Sequence, residues 1–176
     1  EFGRTILTGA VTVMTIASVA IFLAAPWLAG VIGQGFDPAT QDLYVQLLRI
    51  NCVAQVFFAA SIALGEILVA HRRFLFYALA PIFYTTGIIV FTVLFAGTYG
   101  IVATAWGAVA GAGAHLAIRA IGTTRTTFRI RPSFAIRTAA FREFIRLMVP
   151  RMFSVAVEPL TITYFTRLAA GLGVGA

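Results

Sequence analysis

Between Phe74 and Ile118 the chain runs for 45 residues without one Asp, Glu, Lys or Arg. A globule in water needs charges more often than this to wet its surface. A helix crossing the bilayer's hydrocarbon core of about 30 Å needs about 20 apolar residues. The run is therefore too long for one span and must break. Gly97-Thr98-Tyr99-Gly100 supplies the break, which predicts helices near 74–96 and 101–121. Composition agrees: 60% of the 176 residues are hydrophobic, 11% are charged, and mean hydropathy is +0.95. Soluble domains are nearer half apolar and a quarter charged. These values exclude a soluble enzyme, a disordered chain and a fibrous protein, and predict an all-α, polytopic transmembrane helix bundle.

The rest of the chain divides the same way. One uncharged stretch ends at Ala25-Pro26-Trp27 and Gly33-Gln34-Gly35 and predicts a span over 5–31. A second span over 43–70 contains Arg49 and Glu66. These four spans form one unit, residues 1–132. The polar connection from Arg119 to Arg146 carries Phe134, Ile136, Phe141, Ile145 and Met148 at roughly helical spacing, with arginines between them. That pattern predicts an amphipathic cytoplasmic helix on the membrane surface over 133–149. The chain then turns inward at Pro150, so that 150–176 begins a fifth span. Because the sequence opens on Glu1 with no signal-type segment, it reads as an internal piece of a longer chain.

All 13 cations are arginine, against six carboxylates. A net charge of +7 can mark a nucleic-acid binder, but these arginines sit in the gaps between apolar runs, where they fix membrane orientation. No nucleic-acid partner is expected. The junctions alternate: Arg4, then Asp37 and Asp42 without a cation, then His71-Arg72-Arg73, then an uncharged turn, then the arginine-rich connection. The alternation places the N-terminal end of this stretch in the cytoplasm.

An ionisable group at mid-membrane costs at least about 2.5 kcal/mol on insertion scales and usually faces a cavity or a partner. Arg49 either lines a cavity or snorkels. Glu66 either lines a pathway or pairs with Arg72 at the interface. Glu158, beside helix-loosening Pro159, suits the interior of the bundle, where it would bind a cation or an arginine. Arg167 is near the far end of its helix and either lines the pathway or snorkels, while Arg151 anchors at the headgroups. Ala103, Gly107, Gly111 and His115 recur every four residues, a smooth stripe suited to close helix packing, with His115 nearest the interface. No nucleotide loop, metal-ligand cluster or nucleophile motif is present, so no catalytic residue, metal or cofactor is assigned.

The ordered set of local motifs resembles the MurJ/MviN-type lipid II flippases. Ala24-Ala25-Pro26-Trp27, Gly35-Phe36 and Leu47-Leu48-Arg49-Ile50 are similar to that family's third and fourth helices. So are Leu64-Gly65-Glu66-Ile67-Leu68, Arg73-Phe74 and Ala78-Leu79-Ala80-Pro81. Ala105-Trp106-Gly107 with Gly111 resembles the sixth helix, and Arg142-Glu143-Phe144 through Leu147-Met148-Val149-Pro150-Arg151 the approach to the seventh. The resemblance implies a bacterial inner-membrane transporter of about fourteen helices in two lobes, of which this stretch supplies helices three to seven. It implies a lipid-linked diphosphate sugar as substrate, flipped by alternating access. Partners would be membrane lipids and the remaining helices. Where some members carry a sodium-binding carboxylate this chain has Tyr164-Phe165-Thr166-Arg167, so no sodium site carries over. Two alternatives stand beside this one: an exporter of another lipid-linked oligosaccharide or a drug, and a non-transporting membrane scaffold. A cleft holding Arg49 or Glu158 favours transport; charges confined to the interfaces favour the scaffold.

Overall fold

The computed structural model describes residues 1–33 and 35–171. The described residues form five helices and no strand: α1 (Phe2–Ile32), α2 (Pro38–Ala70), α3 (Phe74–Tyr99), α4 (Ile101–Thr124) and α5 (Ala139–Gly171). The first four are long and apolar enough to cross a membrane.

Short, chemically definite turns join them. Asp37 caps α2: its carboxylate accepts from the backbone N–H of Ala39 at 3.1 Å and of Thr40 at 3.3 Å. Pro38 follows at the first helical position, where its missing N–H leaves no hydrogen bond unmade. The Thr40 hydroxyl and backbone N–H hold the Asp37 carboxyl below its ordinary pKa. Gly100, at φ +57°, is the whole connection between α3 and α4. A Cβ is disfavoured in that conformation, and the result is a tight antiparallel hairpin.

Packing inverts the soluble pattern. The buried residues are mostly small: Ala25, Ala29, Ala54, Ala59, Ser61, Gly65, Ala80, Ala103, Gly107, Gly111 and Ala112. Large apolar side chains such as Ile16, Leu23, Leu75, Ile82, Val93 and Leu94 face outward. Lipid removes the hydrophobic drive between helices, so close backbone contact of small residues holds them together while the large side chains meet acyl chains. The tightest case is α3 on α4. A Cβ built on Gly87 would lie 2.6 Å from the Gly111 Cα, and one on Gly107 would lie 2.8 Å from the Phe91 Cβ. Helix α4 is central, with α3 on one side and α2 on the other. Its α2 side joins Ala105, Val109 and Ala112 to Ile50 and Ala54.

The arginines at the start of α1, in the α2–α3 turn and after α4 gather at one end. After α4 the chain crosses the start of α1, where Thr5 shares a 3.1 Å hydrogen bond with Ser133 and the Ser133 N–H donates to the Thr8 hydroxyl at 3.0 Å. Arg73 donates to the Arg125 carbonyl at 3.2 Å, tying in the α2–α3 turn. Arg4, Arg72, Arg73, Arg125, Arg129 and Arg131 therefore lie at the same end of the bundle.

The fifth helix differs from the expectation. The structure has no separate amphipathic helix over 133–149: residues 133–138 are non-helical, and one helix runs from Ala139 through Pro150 and Pro159. A proline removes one N–H but leaves the flanking turns bonded, so helices in lipid tolerate it. Over its described residues α5 is not among the helices long and apolar enough to cross; Arg142, Glu143, Arg146, Arg151, Glu158 and Arg167 interrupt it. Of the expected 150–176 segment, 172–176 lie outside the described residues.

Candidate functional site

Steps of four residues on an α-helix drift by about 40° each. The small-residue stripe on α4 therefore winds from one neighbour to the next. Gly107 and Gly111 face α3, and the same series continues through His115, Arg119 and Thr123, which are all buried against α2 and the base of α3. His115 Nδ1 and Ser61 Oγ share a hydrogen bond of 2.6 Å. Phe58 stacks edge-on to the imidazole at 5.3 Å. One turn on, Arg119 donates to the Ser61 carbonyl at 2.9 Å and lies over the Tyr77 ring at 4.7 Å. Its side chain is only 6% exposed, and its Nε–H has no partner. Gly65 makes the room: a Cβ there would come within 2.5 Å of the guanidinium. Thr123 closes the row by donating to the Arg119 carbonyl at 2.8 Å.

This row corrects two expectations. Arg119 is not a loop arginine but a cation buried inside α4, and His115 is in the packed interior, 5% exposed, and not at the interface. The sequence carried a signal for both. The four-residue series does not stop at His115, and Gly65 and Ser61 are themselves four apart on α2, offering a smooth groove with a hydroxyl.

A second feature is an apolar groove of about 460 Å³ where α5 stands off from α2. Among the described residues, the α5 backbone comes close to that of α1, and its side chains share this groove with α2. Phe144 meets Phe2 edge-on at 6.1 Å. Gly9 and Ala10 of α1 and Ala59 and Ala63 of α2 form small-residue walls, and Phe141, Ile145 and Met148 face them. Among the described residues, Glu66 is the only charged one lining this groove.

The other charges predicted from sequence are dispersed. Arg49 is half-buried on α2, donates Nε–H to the Phe22 carbonyl of α1 at 3.3 Å, and lines a cavity of about 420 Å³ with Asp42, Gln46 and Trp106. Glu158 and Arg167 are exposed on α5, as is Arg151. Arg49, Glu66, Glu158 and Arg167 thus do not converge on one site. Ala103, Gly107 and Gly111 are buried on α4. No group of three His, Cys, Asp or Glu among the described residues could hold a metal. Cys52 is buried and free. The family model described as "MurJ: Lipid II flippase MurJ" matches residues 1–176.

Proposed function

The chain belongs to the MurJ lipid II flippase family over its full 176 residues, and we propose that it forms part of a transporter that moves a lipid-linked peptidoglycan precursor across the bacterial cytoplasmic membrane by alternating access. The family match is the observation that carries this proposal. The family is named for flipping a lipid, so the chain is a multi-pass membrane protein of a transport family and its substrate class is lipid-linked. The remaining helices of the full-length chain and the surrounding lipids are its structural partners.

The geometry supports a division of labour. α1–α4 are held by small-residue contacts and buried hydrogen bonds, while among the described residues the α5 backbone approaches closely only α1. The packed four would move as one body, with α5 as the element that shifts against them. The arginine-rich end is the cytoplasmic one, because cytoplasmic loops hold the excess of arginine. Guanidinium groups grip a diphosphate with paired hydrogen bonds. Glu66 in the groove and Glu158 and Arg167 on α5 are the charges that would meet substrate, ions or other helices as α5 moves.

A restraint on α5 tests the proposal. Full-length protein with Cys52 replaced and cysteines in place of Phe2 and Phe144 would be reconstituted in vesicles. A short bis-maleimide, which alkylates both thiols, would then bridge α1 to α5. Precursor arriving on the opposite leaflet should fall at least about tenfold on bridging, while an α3–α4 bridge leaves the rate unchanged. Transport at the unbridged rate through a closed α1–α5 bridge would refute α5 as the moving element. Absence of precursor movement in the unbridged protein would refute the function itself.

A further inference from the structure

Pro26 lies inside α1. Proline has no N–H, so the carbonyl four residues earlier, that of Phe22, loses its partner within the helix. Hydrocarbon offers no water in exchange, and each unsatisfied backbone group there is costly. A donor has to come from elsewhere. The Arg49 Nε–H on α2 points at that carbonyl from 3.3 Å, and its guanidinium carbon lies 5.0 Å from the centre of the Phe22 ring. One side chain thus binds both the carbonyl and the ring of a single residue. Four prolines lie inside helices among the described residues: Pro26, Pro81, Pro150 and Pro159. Among the described hydrogen bonds, the Phe22 carbonyl is the one freed by a proline that a side chain of another helix fills.

We propose that Arg49 is a positioning residue that splints the proline break in α1. It supplies the hydrogen bond Pro26 cannot make and so fixes the end of α1 beyond the break, including the buried Ala29, against α2. This accounts for a mid-membrane arginine without asking it to touch substrate. Lysine is a poor substitute, because a compact ammonium cannot bond a carbonyl and lie flat on a ring as a guanidinium does.

A double-mutant cycle in the full-length protein tests the splint. Arg49→Met should lower the midpoint of thermal unfolding in detergent by several degrees, and Arg49→Lys by less. Pro26→Ala restores an N–H opposite the Phe22 carbonyl, so Arg49→Met made in that background should lose no more than about half as much; residues sharing one hydrogen bond are not additive. Losses that add in full would overturn the splint. The transport arm rests on the flippase reading. Arg49→Met should slow precursor translocation several-fold, and Pro26→Ala/Arg49→Met should return it to within about twofold of the Pro26→Ala rate. Coupled stability without recovered transport would show that Arg49 acts on the substrate directly, and would overturn its role as a positioning residue. If the wild-type protein moves no precursor, the flippase reading fails, while the thermal cycle still decides the splint.

Discussion

The α3–α4 hairpin and α5 both carry many large apolar side chains and both contain proline, although α5 also holds six charges, and they pack in opposite ways. α4 carries Gly107, Gly111 and Gly122 among alanines, and its backbone touches that of α3. α5 has no glycine between Ala139 and Arg167, exposes Met152, Phe153, Val155, Val157 and Leu160, and among the described residues brings its backbone close to α1 only. Apolarity takes both toward lipid; only the small residues join a helix to its neighbours. In a bilayer cohesion follows surface smoothness and satisfied polar groups, since lipid tails solvate Leu and Phe as well as another helix does.

The sharpest way to break this contrast is to roughen the hairpin. Gly111→Leu drives a side chain into the Tyr84 backbone carbonyl, which cannot give way as a side-chain tip would. It should cost about 3 kcal/mol, the upper part of the usual overpacking range, read as a lower unfolding midpoint in detergent. Unchanged stability would mean the two helices are not held by this contact.

Gly65→Ala comes next. Its Cβ collides with the Arg119 guanidinium and displaces it from the Ser61 carbonyl. A hydrogen bond to a charged group is worth about 1.5–3 kcal/mol, and a loss near the lower figure is expected because the side chain can partly readjust. Arg119→Met in the Gly65→Ala background should then cost less than in wild type. Equal costs in both backgrounds would remove the link between the two residues.

On α5 the expectation reverses. Glu158→Gln and Val157→Ala should each change stability by less than about 0.5 kcal/mol, as for surface sites. Glu158→Gln should nonetheless slow translocation across pH 6 to 8. A large stability loss at either position would show that α5 is packed as firmly as α4, and the contrast would vanish.

The smallest effect is at the α2 start. The folded-state pKa of Asp37 is lowered, so its cap contributes stability that is present above the ordinary value of 3.8 and disappears as pH falls through the lower folded value. Asp37→Asn keeps a capping oxygen and should flatten that acid dependence while leaving neutral-pH stability nearly unchanged. An identical acid profile for the variant would remove the cap from the account.

The sequence made the fold class legible because charge-free runs and glycine breaks act locally: 45 uncharged residues can be little else than two spans. The polar row was harder to see. Arg119 sits beside a cluster of loop arginines, and a charge near a helix end ordinarily marks the interface. Its burial depends on Gly65 and Ser61, more than 50 residues away on another helix, and no local pattern shows that pairing. The continuity of α5 was hidden for a related reason. Pro150 and the change from basic to apolar sequence look like a boundary, whereas the helix loses one hydrogen bond there and carries on. Arg49 could be assigned to the span from sequence, but its carbonyl partner could not, since Phe22 is on a different helix.

In the proposed mechanism the packed α1–α4 body and α5 move against each other. Spin-label distances in full-length protein with Cys52 replaced, measured with and without lipid-linked precursor, address it directly. The Ile82–Ile121 pair reports α3 against α4, and the Val69–Val157 pair reports α2 against α5; all four positions are exposed. The first distance should stay within about 1 Å and the second should shift or broaden by several ångströms, the scale of element movements in switching proteins. A fixed α2–α5 distance, or a moving α3–α4 distance, would contradict it.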